Sequence, residues 1–190
     1  MRILIVGDSF AANWQKKYPN KQGWPNQLAK THIVDNLAQA GCSEYRILKQ
    51  INSARLDQYD AIIVSHTSPY RIYTDYHPNR STDVLHQHCD LMYADIEHLA
   101  KINSDYQSVV GYFEKFFSLE YAEFCYNITV DKINELLKGY QVIHLSHLYP
   151  LRLNYIDFSN LFKCHPGEIN HYDEEGNQII YNKILEELAK

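Results

Sequence analysis

Arg2-Ile3-Leu4-Ile5-Val6-Gly7-Asp8-Ser9 is the stretch whose reading decides the fold. Four consecutive apolar residues, three of them β-branched, end at a glycine and two polar side chains. An unbroken apolar run, rather than an alternating one, marks a strand buried on both faces, as in a parallel sheet covered by helices on each side. Asp60-Ala61-Ile62-Ile63-Val64 repeats that character, Tyr140 to Ser146 adds another strand, and His32 to Asp35 is a fainter one. Between them the pattern predicts a helix around Asn26 to Lys30 and one over Ser43 to Ile51 with Ser43 as its cap. Further helices are expected from Thr82 to about Ile102, from about Phe113 to Leu137 with Gly139 as the stop, and from Glu174 to Ala189. Residues 65–82 read as loop and Asp157 to Asp173 as irregular. Strands alternating with helices predict an α/β fold, a three-layer α/β/α sandwich on a mainly parallel sheet, in one domain spanning 1–190.

Composition narrows the function. With 190 residues, 45% of them hydrophobic and 22% charged, the chain can bury a core without disulfide or metal staples. A net charge of −5 argues against a nucleic-acid surface. No stretch approaches the roughly 18 apolar residues of a membrane span, and the N-terminal run is too short for a signal-peptide core, so a cytoplasmic protein without membrane contact is expected. Cys42, Cys89, Cys125 and Cys164 form no CxxC pair and read as reduced thiols. In His86-Gln87-His88-Cys89-Asp90, helical spacing puts His86 on one face with Cys89 or Asp90 and turns His88 elsewhere. That pattern reads as a solvated face with a core cysteine, and neither metal nor other cofactor is expected.

Ser9 falls where the first strand ends, and open α/β sheets build their sites at the carboxyl ends of strands. Phe10 to Trp14 reads as a helix start, whose dipole and free N–H groups would favour an oxyanion; the plainer alternative is that Ser9 caps a turn. Near the other terminus stands Glu168-Ile169-Asn170-His171, followed by Gly176 and the apolar pair Ile179-Ile180. A serine hydroxyl becomes a nucleophile when a histidine takes its proton, and that histidine needs an acid to fix its tautomer. An acid three positions before a histidine can supply both.

Taken together these blocks resemble the SGNH/GDSL hydrolases, esterases and lipases with a flavodoxin-like sandwich. Val6-Gly7-Asp8-Ser9 is similar to the block that carries the nucleophile, and Asn36-Leu37-Ala38-Gln39-Ala40-Gly41-Cys42-Ser43 to the second block. The resemblance implies that Gly41 and Ser9 give backbone N–H groups to an oxyanion hole, that His171 is the base, that Glu168 orients it, and that Asp8 supports the turn. Glu168 to Gly176, with the helix after it, is similar to the family's last block; His165-Pro166 competes for that place, but Phe162 stands three residues before it and no glycine follows at the matching distance, so His171 is the expected base. The family's Gly-x-Asn-Asp block is replaced by Ser65-His66-Thr67-Ser68-Pro69-Tyr70-Arg71. Either His66, Thr67 or Ser68 supplies the third oxyanion donor, or the hole has only two amides; losing one donor costs about a hundredfold or more in rate.

In the same loop Arg71 suits a carboxylate or phosphate on a substrate, while Tyr70, Tyr73, Tyr76 and His77 suit a wall for a sugar ring. The resemblance implies a serine hydrolase of small acyl esters, with carbohydrate O-acetyl groups as the substrate. The same triad serves an acyltransferase, and a non-catalytic carbohydrate-binding module would keep the fold. Residues 82–138 are expected to form a mainly helical insertion.

Overall fold

The computed structural model describes residues 1–75, 77, 84–87 and 89–190. Strands β1 (Arg2–Gly7), β2 (Ile33–Asn36), β3 (Ala61–His66), β6 (Val142–Ser146) and β7 (Ile156–Asp157) form a five-stranded sheet in the order β2-β1-β3-β6-β7. Every pairing within it is parallel. The fold is therefore α/β with a doubly wound sheet, and the chain reverses its winding direction at β1 and β3, where such sheets open a crevice.

Period-two alternation divides the strand side chains between two cores. Ile3, Ile5, Ile63, Ile143 and Leu145 face one side, against Trp24 and Leu28 of helix α1 (Trp24–Leu28) and Ile180 and Ile184 of α7 (Glu174–Leu188). Leu4, Val6, Ile62 and Val64 face the other, against Ile47 and Ile51 of α2 (Glu44–Ser53) and Ile133 of α5 (Leu119–Leu136). Each fully buried aliphatic side chain contributes about 1.5–3 kcal/mol, so these two layers hold the β1 terminus firmly in place. Among the described residues no helix is long and apolar enough to cross a membrane.

The middle of the chain departs from the expected long helices. Among the described residues of 82–102 only α3 (Tyr93–Ile102) is helical; Leu91–Met92 is instead a strand, β5, antiparallel to β4 (Arg71–Ile72). Residues 82 and 83 lie outside the described part. Asp90 explains the difference: it is fully buried, ion-paired with Arg46 at 2.8 Å, and accepts the amides of Ser43 (2.8 Å) and Thr74 (3.1 Å). That anchorage ties the chain to α2 just before β5, after turns at residues 84–87. The second expected helix is two, α4 (Gln107–Lys115) and α5, because Ser118 caps α5 by accepting the Tyr121 amide at 3.3 Å. The segment expected to be irregular contains α6 (Ser159–Cys164) and the short strand β8 (Pro166–Ile169).

Candidate active site

At the end of β1 the chain must turn sharply beside β3. Gly7 has φ +152°, and a Cβ there would lie 2.7 Å from Ser65 Cβ. Gln50 of α2 brackets the glycine, accepting its N–H (2.8 Å) and donating to its carbonyl (3.1 Å). Asp8, wholly buried, closes the turn by accepting the Phe10 amide at 3.0 Å. Burial pushes its carboxyl up to about 6, against the downward pull of Arg71, the Phe10 amide and the Thr67 hydroxyl. No helix starts at Phe10: an Ala11 N–H to Asp8 carbonyl bond makes a turn, and the next regular element is a 3₁₀ turn at Trp14–Lys16. The expected helix dipole at Ser9 is absent because the Trp14 indole N–H (2.9 Å) and Asn170 Nδ2 (3.2 Å) both donate to the Ser9 carbonyl.

β8 brings the histidine. Asn170 (φ 52°) and His171 (φ 65°) both adopt left-handed backbone, so the chain folds back and Tyr172 bridges to Pro166 and Ile169. Asn170 Nδ2 also donates to the Ala12 carbonyl at 2.9 Å. Asn177 of α7 clamps the turn from behind, donating to the carbonyls of Ile169 (2.9 Å), Tyr172 (3.2 Å) and Asp173 (3.0 Å) and accepting the Trp24 amide (3.0 Å). Held this way, His171 Nε2 lies 2.7 Å from Ser9 Oγ. The Phe10 ring lies 4.5 Å from the imidazole. Burial, with Arg71 and His86 nearby, lowers His171 to about 4, so the ring is neutral at neutral pH. Neutral Nε2 can accept the serine proton.

Glu168 does not join them. Ile169 turns into the core, so alternation along β8 turns Glu168 to solvent, where its side chain is 72% exposed and ion-paired with Lys21. Lys21 holds that carboxylate below its usual range. No hydrogen-bond partner reaches His171 Nδ1 among the described residues, so Ser9 and His171 form a dyad without the expected acid. His165 lies apart, its Nδ1 3.3 Å from Asp173, the cap of α7.

Gly41 has φ +76°, and a Cβ there would lie 2.7 Å from that of Cys89. Its carbonyl accepts the Asp90 amide (2.9 Å) and Arg71 Nη1 (3.4 Å). With that peptide pinned, the amides of Gly41 and Ser9 have no acceptor among the described residues. Ser9, Gly41, Arg71, His77 and His171 line one cleft of about 380 Å³.

His66, Thr67 and Ser68 are absent from that cleft's lining, which corrects the expectation of a side-chain donor from among them. His66 is buried between Glu44 Oε1 (2.7 Å) and His144 Nδ1 (2.9 Å), the Thr67 amide donates to Glu44 Oε2 (3.2 Å), and Ser68 lines a neighbouring cavity. The cause is Glu44, whose carboxylate is buried under α2 and draws the loop after β3 toward it. Tyr70 is 45% exposed and also outside the cleft's lining, beside Tyr149; Tyr76 and His88 lie outside the described residues. The sequence reading missed Glu44, His144, Asn170 and Asn177. Only the Asn170-His171 pair offered a signal, since asparagine is the non-glycine residue that most readily takes left-handed backbone.

No protein-family model matches the chain, and no curated protein does. Among solved structures it is similar to an acetyl xylan esterase, AlAXEase, at 12% identity over 98% of both chains with a TM-score of 0.40. It is likewise similar to an extracellular lipase from Streptomyces rimosus, at 10% identity over 100% of this chain and 76% of that one (TM-score 0.39). A G-D-S-L family protein from Desulfitobacterium hafniense DCB-2 has 12% identity over 98% of both chains (TM-score 0.41). These likenesses are distant.

Proposed function

We propose that the chain is a serine ester hydrolase acting on small acyl esters, with carbohydrate O-acetyl groups as its substrate class. The observation that carries the proposal is the 2.7 Å contact between Ser9 Oγ and His171 Nε2. Ser9 Oγ attacks the ester carbonyl while His171 takes its proton, and the free amides of Ser9 and Gly41 receive the oxyanion. The imidazolium returns that proton to the leaving alcohol. Water, deprotonated by the same histidine, then releases the acid and restores Ser9. Without a carboxylate on Nδ1, nothing offsets the charge on the imidazolium that burial and Arg71 disfavour. Turnover is therefore slow, below a full triad by a factor that approaches about 10⁴ where an orienting acid is lost.

The test is p-nitrophenol release from p-nitrophenyl acetate, with acetate release from acetylated sugars alongside. Ser9→Ala is expected to lose about a thousandfold in kcat/KM. Glu168→Gln is expected to stay within about twofold, as for an exposed ion pair. Equal rates for wild type and Ser9→Ala would overturn the proposal.

A further inference from the structure

A second cavity, of about 290 Å³, lies between the N-terminus of α2, the loop after β3 and the α4–α5 turn. Its walls are aromatic, with Tyr73, Tyr112, Phe116, Phe117, Tyr121 and Tyr126 among its lining. Phe116 is 72% exposed and Tyr121 67% exposed, so aromatic surface at its edge is left facing water. Exposed apolar surface gathered around a cavity marks a place where something binds.

Arg71 lines this cavity and also the Ser9–His171 cleft. Among the described residues its guanidinium makes one long hydrogen bond, 3.4 Å to the Gly41 carbonyl, and its buried Nε has no partner. Among the described residues no carboxylate forms an ion pair with it. The Asp8 carboxyl feels its charge without hydrogen-bonding to it, and a planar fork of donors that no carboxylate engages directly is suited to receive one. Glu44 also lines the cavity, but both of its oxygens are turned to His66 and the Thr67 amide.

We propose that this cavity binds an aromatic carboxylate, its ring among the tyrosine and phenylalanine side chains and its carboxylate on Arg71. A sugar acid offers the same charge, but its several hydroxyls would meet mostly apolar walls and lose hydrogen bonds to water. The cavity shares Arg71 with the Ser9–His171 cleft, but its occupancy does not require Ser9 to be a nucleophile, so its test uses binding alone.

1-Naphthoate is titrated into the wild type and into Ser9→Ala by calorimetry. Saturable one-to-one binding is expected, with the same affinity in both proteins whether or not Ser9 is a nucleophile. Arg71→Gln is expected to weaken it about tenfold or more, the usual effect of removing a charged hydrogen-bond partner. The neutral 1-naphthamide should show a comparable loss on the wild type, which separates lost charge recognition from a displaced Gly41 peptide. Phe116→Ala and Tyr121→Ala, both at exposed positions that leave the core intact, should each weaken naphthoate several-fold. The proposal is overturned if naphthoate does not saturate, if it binds Arg71→Gln as tightly as wild type, or if methyl glucuronide binds more tightly than naphthoate. Self-association of the chain that Phe116→Ala abolishes and naphthoate leaves untouched would equally overturn it, by making the patch a protein surface.

Discussion

Asp8 bears a large electrostatic cost in the site. It sits wholly buried beneath the nucleophile with its carboxyl raised to about 6. A carboxyl raised in the folded state favours folding when protonated; that contribution is complete below 3.8 and lost as pH climbs through about 6. Asp8→Asn keeps the oxygen that accepts the Phe10 amide and removes the ionisation. Its stability relative to wild type should therefore rise between about pH 4 and about pH 8 by about 3 kcal/mol, the equivalent of that shift. Urea unfolding of both proteins at the two pH values checks this; parallel behaviour would contradict it. At this scale the sequence was legible where the chemistry is local. Ser9 follows from a strand ending in Gly-Asp-Ser, and Gly41, with φ +76°, stands at a position that suits glycine. Glu168 was misread because spacing from His171 does not reveal the alternation of β8, and Ile169 takes the core-facing side.

Among elements, the hairpin of β8 and the start of α7 determines where His171 stands. Asn177, 1% exposed, makes four side-chain hydrogen bonds to backbone; among the described residues the Asp173 carbonyl keeps the Asn177 amide as a second donor, while the Ile169 and Tyr172 carbonyls have no other. Asn177→Ala leaves buried carbonyls unpaired, which costs about 1–3 kcal/mol for each group left unsatisfied. It should lower the urea midpoint and, in the protein that remains folded at low denaturant, reduce kcat/KM about tenfold or more, since displacement of a catalytic group by about an ångström is enough to do so. Full activity alongside reduced stability would contradict the positioning role. The strands were read with small boundary shifts because an apolar run declares itself within a few residues. The 82–137 region was not, because its breaks depend on long-range contacts such as Asp90 with Arg46, which no local periodicity encodes. Ser118, a serine before an amphipathic stretch, was the one local signal of a helix boundary there.

For the molecule as a whole, the buried His144 and His147 and the half-buried His171 set the acid limit. Burial lowers His144 and His147 to about 3 and His171 to about 4. A lowered base contributes stability above its unfolded value of 6.5 and loses it as pH falls toward the folded value. Unfolding near pH 5 should take up about two protons, three from the histidines offset by one that Asp8 releases. The slope of unfolding free energy against pH between about 6.5 and about 4.5 measures this, and a flat profile would contradict it. At this scale the α/β class was legible in the sequence, since repeated apolar runs separated by amphipathic ones admit few architectures. It was silent on the buried Glu44–His66–His144 chain, whose members are far apart in sequence and look solvated when read singly.

The pairing of Ser9 with His171 is tested most directly by covalent labelling with a fluorophosphonate, followed by mass spectrometry of the digested protein. A nucleophilic Ser9 should take one label per chain, at Ser9, and His171→Ala should label far more slowly while Glu168→Gln labels as wild type does. An unlabelled Ser9 in the folded protein, or equal labelling with His171 removed, would contradict the account.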